Sequence, residues 1–268
     1  SLSNIAFKLL ENTIAQALAV DKARAAFASA TGTGYEYQQT LAEINQEGLE
    51  MELSMDRSVA GLTAVRQSLI GGATESKNFQ KELGLQIAEF DKLGIKADDV
   101  AGIMNDLQAT MGISSAASIE MTKDIAMSAV QMGIAPSKMA QDFTRASSTL
   151  AVHGRKSVEV FKGLAIAARN AGTSVDGLLS IANKFDTFES AADSAGKLNA
   201  ILGTTMSATE MLMMTEEERI ESLIKTVQST GQSFNQMDRF KQKAIAQAAG
   251  INDMAEANRI FGMSLREY

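Results

Sequence analysis

The chain has 268 residues, a net charge of −7, no cysteine, no tryptophan and a single proline. The absence of cysteine excludes disulfides and thiolate metal sites, and the negative charge disfavours nucleic-acid binding as the main role. No apolar run approaches the ~20 residues that a membrane-spanning helix needs, and the low proline content is typical of uninterrupted helices.

The first predicted element is a helix over residues 3–30. Phe7, Leu10 and Ile14 fall on one face of it, at the spacing of an amphipathic helix. Residues 31–34 read Thr-Gly-Thr-Gly. A phosphate-binding loop would need a preceding strand and a following Lys-Ser or Lys-Thr, so we interpret these residues as a helix-ending turn.

From residue 37 to residue 70, apolar side chains alternate three and four positions apart, which is the heptad pattern of a coiled coil. We call this set the seam; its apolar members are Leu41, Ile44, Met51, Met55, Leu62, Val65 and Leu69. Gly48 and Ser58 occupy two further positions and weaken it. The seam predicts parallel association of three or more copies, because methionine at successive core positions does not specify a dimer. The alternative is a hairpin within one chain, in which the seam packs against residues 79–90.

Beyond residue 93, glycine recurs every 18 to 21 residues, at positions 94, 112, 133, 154 and 172. We interpret each glycine as the left-handed residue that ends a helix, with the next residue packing back on the turn. Pro136 fits the first position of the helix that follows. The pattern predicts a series of short αα-hairpins.

Capping-box patterns mark further helix starts in the rest of the chain. Four of them begin at Thr173, Asp186, Ser207 and Thr215. A fifth, at residues 264–267, would start another helix, so we expect the chain to be part of a longer polypeptide, with a frayed end as the alternative.

Together these patterns predict an all-α fold, because no run of alternating β-branched residues is long enough for a strand. We expect an elongated molecule with two regions. Residues 1–93 should form long helices with coiled-coil character, and residues 94–268 should form the short αα-hairpins.

His153 is the single histidine, so a zinc site or a hydrolytic triad would have to use it. The sequence places no acidic partner or nucleophile beside it, and the helix dipole explains a histidine near a helix end. The acidic trio Glu216, Glu217 and Glu218 fits the first turn of a helix for the same electrostatic reason. We therefore predict no enzyme activity, no metal and no cofactor.

The densest methionine cluster is the run Met211, Leu212, Met213 and Met214. Four consecutive helical residues point around the helix, so the four cannot all face one core. Methionine adapts to irregular partner surfaces. We predict that part of this run is a partner surface; the alternative is a helix buried on all sides.

Residues 185–203 read FDTFESAADSAGKLNAILG, ahead of the methionine run and an acidic helix. SFNQM at 233–237 and AAGIND at 248–253 follow. Over roughly residues 90–262, this arrangement resembles the tail tape-measure proteins of tailed bacteriophages.

The resemblance implies a structural virion protein in the lumen of the tail tube, which sets the tail length and is released at DNA ejection. It implies copies of the chain, tail-tube proteins and baseplate hub proteins as partners, with assembly in the host cytoplasm and no specific nucleic-acid binding. The alternative is a helical scaffold or a chemoreceptor-like signalling coiled coil. The regular glycines disfavour this alternative, because such stalks need unbroken heptads.

Overall fold

A computed structural model describes residues 2–33 and 35–263, with the side chains of residues 2–12, 16 and 35 excepted. Helix accounts for 81% of the structure, and the described residues contain no strand, so the prediction of an all-α fold is confirmed. The face predicted on Phe7 and Leu10 involves side chains outside the described set, and the capping pattern at 264–267 also lies outside it.

The chain divides into two compact units, residues 1–144 and 145–268. The helices up to the division are α1 (Leu2–Thr31), α2 (Gln38–Glu50), α3 (Met55–Gln67), α4 (Lys77–Glu89), α5 (Ala97–Met111), α6 (Ser115–Met132) and α7 (Pro136–Leu150), which contains the division. The second unit continues with α8 (Ser157–Ala171), α9 (Val175–Ala182), α10 (Phe188–Leu202), α11 (Ala208–Met213), α12 (Glu216–Gln228), α13 (Arg239–Ala248) and α14 (Met254–Gly262).

The first unit is built around an antiparallel pair, α3 and α4. A Cβ atom at position 61 would lie 2.0 Å from the carbonyl oxygen of Gly84, so the two backbones touch where both residues are glycine. Arg57, near the start of α3, pairs with Asp91, just after the end of α4, at 2.5 Å. The two contacts fix the antiparallel direction.

The prediction of one continuous coiled-coil helix over residues 37–70 is wrong. The helix stops at Glu50, Glu52 takes a left-handed conformation with φ of 58°, and Ser54 caps the start of α3. The two weak positions of the seam, Gly48 and Ser58, explain why α3 folds back across α2. A Cβ atom on Gly48 would lie 2.3 Å from Oγ of Ser58, so these small residues form the point where α2 crosses α3.

The seam residues predicted as an oligomer interface lie in the interior of the first unit. Met51 is partly buried against this core, and the other members are buried: Leu41, Ile44, Met55, Leu62, Val65 and Leu69. Their partners include α4, whose Leu83 and Ile87 are 2% and 0% exposed, and Phe90, directly after α4, is 2% exposed. The packing is therefore that of the intrachain alternative, and in this fold the seam is not available to a second copy.

The boundary expected at residue 93, between long helices and short αα-hairpins, falls within the first unit. Gly94 ends the preceding turn in a left-handed conformation, and α5 then packs on α3 and α4. The buried side of α5, which includes Val100, Ile103 and Met104, needs these neighbours to leave water. Residues 1–93 are therefore not a separate unit.

The glycine pattern predicts most helix ends correctly. Gly112, Gly133 and Gly172 are left-handed C-caps of α5, α6 and α8, and Pro136 is the first residue of α7. Gly154 differs, because its ψ of −121° is not that of a left-handed cap. It lies inside a 3-10 segment that joins α7 to α8.

The capping patterns locate four helix starts to within one residue. Ser207 and Thr215 cap α11 and α12 as predicted, and Thr215 forms the full capping box with Glu218. For α9 and α10 the caps are Ser174 and Thr187, each one residue later than predicted. In both cases the cap is the residue with an extended backbone, Ser174 or Thr187, and not the residue before it.

Candidate interaction surface

A buried arginine organises the region that carries the methionine run. The side chain of Arg219, on α12, is 8% exposed. Its Nε donates to the carbonyl of Met211 at 2.8 Å, and Nη1 donates to the carbonyl of Ala182 at 3.0 Å. Nη1 also donates to the carboxylate of Asp186. A guanidinium is tolerated inside a protein when its donors are paired in this way, so Arg219 ties α9, α11 and the approach to α10 to α12.

The methionine run is divided between core and surface. Met211 is 1% exposed and Met213 is 84% exposed, while Leu212 and Met214 are partly buried. The helix ends after Met213 because Met214 is extended, with ψ of 151°. The division agrees with the expectation that the four side chains cannot share one core. Contact of Met213 with a partner stays a prediction.

Phe188, on α10, adds a second exposed apolar group. It is 65% exposed, whereas Ala191, Ala195 and Leu198 on the same stripe are buried. Phe188 is the first residue of the helix, and side chains in a helix tilt toward its N-terminus. Its ring therefore projects past the part of α10 that the other helices cover.

Phe188 and Met213 are anchored to the same framework. Asp186, two residues before Phe188, and Met211, two residues before Met213, both bond to the guanidinium of Arg219. Helices α10 and α11 also pack on each other. We call Phe188 and Met213 the exposed apolar pair. Phe240, at the start of α13, is 86% exposed and gives this unit a further exposed aromatic ring.

His153 has an acidic partner that the sequence did not reveal. Its Nε2 lies 2.5 Å from Oε2 of Glu216, and the two side chains are 18% and 6% exposed. The residues are 63 positions apart, so no local signal could have paired them. The pair fastens the 3-10 segment between α7 and α8 to the first turn of α12.

The acidic trio has three different environments. Glu216 pairs with His153, and Glu218 accepts a hydrogen bond from the backbone N–H of Thr215 at 2.8 Å. Burial raises the pKa of Glu217, and the negative charges of Glu221 and Glu218 raise that pKa further. Only the general position of the trio, in the first turn of α12, could be predicted from the sequence.

Within residues 2–33 and 35–263, no three histidine, aspartate or glutamate side chains are grouped so that they could hold a metal ion. None of the described helices combines the length and the apolar character that crossing a membrane requires.

Comparison of the chain with protein-family models, with curated proteins and with solved structures found no match.

Proposed function

We propose that this chain is a structural part of a tail tape-measure protein of a tailed bacteriophage. The observation that carries the proposal is the pattern at residues 185–203, FDTFESAADSAGKLNAILG. It resembles a segment of those proteins and is followed by the methionine run and the acidic start of α12.

The structure gives a physical reason for this pattern. Phe185 and Ala191 are fully buried, Thr187 caps the helix and Gly203 ends it in a left-handed conformation. Oδ1 of Asn199 accepts a hydrogen bond from the backbone N–H of Met206 at 2.6 Å. The pattern thus encodes one packed helix with two defined ends, which is the kind of unit that a structural protein repeats.

In this proposal the chain has no catalytic role and needs no cofactor. It lies in the lumen of the virion tail after assembly in the host cytoplasm, and its short helices form αα-hairpins along an elongated assembly. Copies of the chain, the tail tube and the baseplate hub are its partners. The exposed apolar pair and Phe240 supply contact surface for them, because large apolar side chains at 65% to 86% exposure gain free energy when a partner covers them.

The chemoreceptor-like alternative fits the structure less well. Helices α5, α6 and α8 end at left-handed glycines after 15, 18 and 15 residues. A signalling stalk transmits through heptads that continue without such breaks.

Changing the length of the chain in the phage that carries its gene would test the proposal. An in-frame deletion of residues 97–171 should shorten the tails seen by electron microscopy, and a tandem duplication of the same residues should lengthen them. Opposite changes in tail length from the deletion and the duplication would show that the chain sets the length of the tail. Misfolding would instead remove tails in both cases. Unchanged tail length in both variants, or absence of the chain from purified virions, would overturn the proposal.

A further inference from the structure

An open groove of about 700 Å³ lies between the end of α8 and helix α14. Two arginines and three asparagines line it: Arg169, Asn170, Asn235, Asn258 and Arg259. We call this set the arginine–asparagine groove. A cluster of cations and carboxamides is unusual on a chain whose net charge is −7.

The polar side chains of the groove are not used by the fold. Among the residues that the structure describes, none of the five has a side-chain hydrogen bond or an ion pair. The neighbouring carboxylate of Glu256 is already engaged, because it accepts a hydrogen bond from Oγ1 of Thr173. Neither guanidinium group that lines the groove has an ion-pair partner among the described residues.

Two glycines leave room for two of these side chains, those of Arg259 and Asn235, to lie against the backbone. A Cβ atom on Gly172 would lie 3.1 Å from Cδ of Arg259, and one on Gly262 would lie 3.3 Å from Nδ2 of Asn235. The arginine stem and the asparagine amide therefore lie directly on bare backbone. Contact with a rigid surface reduces the side-chain entropy that a ligand would otherwise have to remove.

The end of α8 adds hydrogen-bond acceptors. The Gly172 N–H donates to the carbonyl of Arg169 at 3.1 Å, and the Thr173 N–H donates to that of Ala168 at 2.9 Å. Within the described chain, the later carbonyls of Asn170 and Ala171 receive no bond from this cap. The last carbonyls of a helix need partners from outside the helix.

We infer that the arginine–asparagine groove binds an acidic peptide segment of a partner protein. The guanidinium groups match carboxylates, often with two parallel hydrogen bonds. The carboxamides both donate and accept, and the helix-end carbonyls accept, so the groove can also pair with the N–H and C=O groups of a peptide backbone. A nucleic-acid backbone offers phosphate acceptors without comparable donors, and strong binding to it needs many more cations. Repulsion from the distant negative charges of the chain is screened beyond about 8 Å at physiological salt.

Fluorescence anisotropy with the whole chain tests this inference. The probe is a fluorescein-labelled ten-residue peptide of alternating Glu and Ser. Arg169→Ala and Arg259→Ala should each weaken its binding about tenfold, which is the effect of losing one charged hydrogen-bonding partner. Arg239→Ala is the matched control, because it removes an exposed arginine of the same unit that does not line the groove, and it should leave the affinity unchanged.

Two further probes identify what the groove recognises. A peptide with Gln in place of Glu should bind at least tenfold more weakly, and a ten-nucleotide oligothymidylate should not compete. The inference is overturned if the acidic peptide does not bind, if the neutral peptide binds equally well, if the oligonucleotide binds in its place, or if the control weakens binding as much as the groove variants. Circular dichroism of each variant checks that the fold is retained.

Discussion

Lys81 shows how a single buried charge stabilises the first unit. Its side chain, on α4, is 10% exposed, and its Nζ lies 2.6 Å from Glu47 and 3.2 Å from Glu43 on α2. The hydrogen bond with Glu47 is the largest cause that raises the pKa of Lys81. The pKa of Glu43 is lowered, first by a hydrogen bond from Gln39 and then by that from Lys81. Both shifts mean that the folded state favours the charged forms.

Lys81→Met is expected to lower the free energy of unfolding at pH 7, because it keeps the apolar stem and removes the ammonium group. The loss should shrink below pH 4.5, as pH falls through the lowered pKa of Glu43. It should also shrink above pH 10.5, as pH rises through the raised pKa of Lys81. Urea unfolding at several pH values, followed by circular dichroism, measures the difference.

Lys197→Met is the control for this prediction. Lys197 forms an i,i+4 pair with Asp193 in which both side chains are about 60% exposed, and such pairs contribute at most ~0.5 kcal/mol. An equal loss from the two substitutions, or a Lys81→Met effect independent of pH, would contradict the electrostatic argument.

At the scale of elements, the α3–α4 pair depends on two glycines that touch. Gly61 and Gly84 place no side chains between the helix axes, so the two backbones approach closely, and the neighbouring Leu62 and Ile87 are both 0% exposed. A glycine within a helix normally costs roughly 0.5–1 kcal/mol relative to alanine. Here this cost is offset by the close packing that it permits.

Gly61→Ala is expected to destabilise the first unit by about 3 kcal/mol, because the added methyl group would meet the Gly84 carbonyl oxygen at 2.0 Å. Gly102→Ala, on α5, is the matched control. Nothing lies within 4 Å of a Cβ atom at that position, so alanine should stabilise the helix by about 0.5–1 kcal/mol. Chemical denaturation of both variants checks the opposite signs; the same sign for both would show that helix propensity, and not backbone contact, decides.

At the scale of the whole molecule, the seam is part of the core of a single copy. Leu62 is 0% exposed, so it supports the fold of one copy. The surfaces proposed above for partners, namely the exposed apolar pair, Phe240 and the arginine–asparagine groove, all lie in the second unit.

Leu62→Lys is therefore expected to unfold the first unit, with a loss of about 4 kcal/mol from an unpaired buried charge. Circular dichroism should show a reduced helix content. Sedimentation should not show a helical oligomer that has become a helical monomer, because the substitution disrupts the fold of each copy. Ile70→Lys changes an exposed residue of the same segment (64% exposed) and should alter stability by less than about 0.5 kcal/mol. Dissociation of Leu62→Lys into monomers with unchanged helix content would restore the coiled-coil interpretation.

The sequence by itself determined the features that depend on a few neighbouring residues. Helix ends at Gly112 and Gly133 follow from the left-handed conformation that glycine tolerates, and the start of α12 follows from the capping box of Thr215 and Glu218. The uneven exposure of the methionine run follows from the geometry of a helix. These are local effects, and their free energies do not depend on distant contacts.

Only the tertiary structure decided which residues far apart in the chain meet. The heptad spacing of the seam is satisfied equally by a second copy or by α4. The close approach of Gly61 to Gly84 selects α4, and that of Gly48 to Ser58 folds α2 onto α3. The pairing of His153 with Glu216 also joins distant positions. Such contacts depend on how several helices fill one core at close packing, and periodicity shows which face is apolar without showing what covers it.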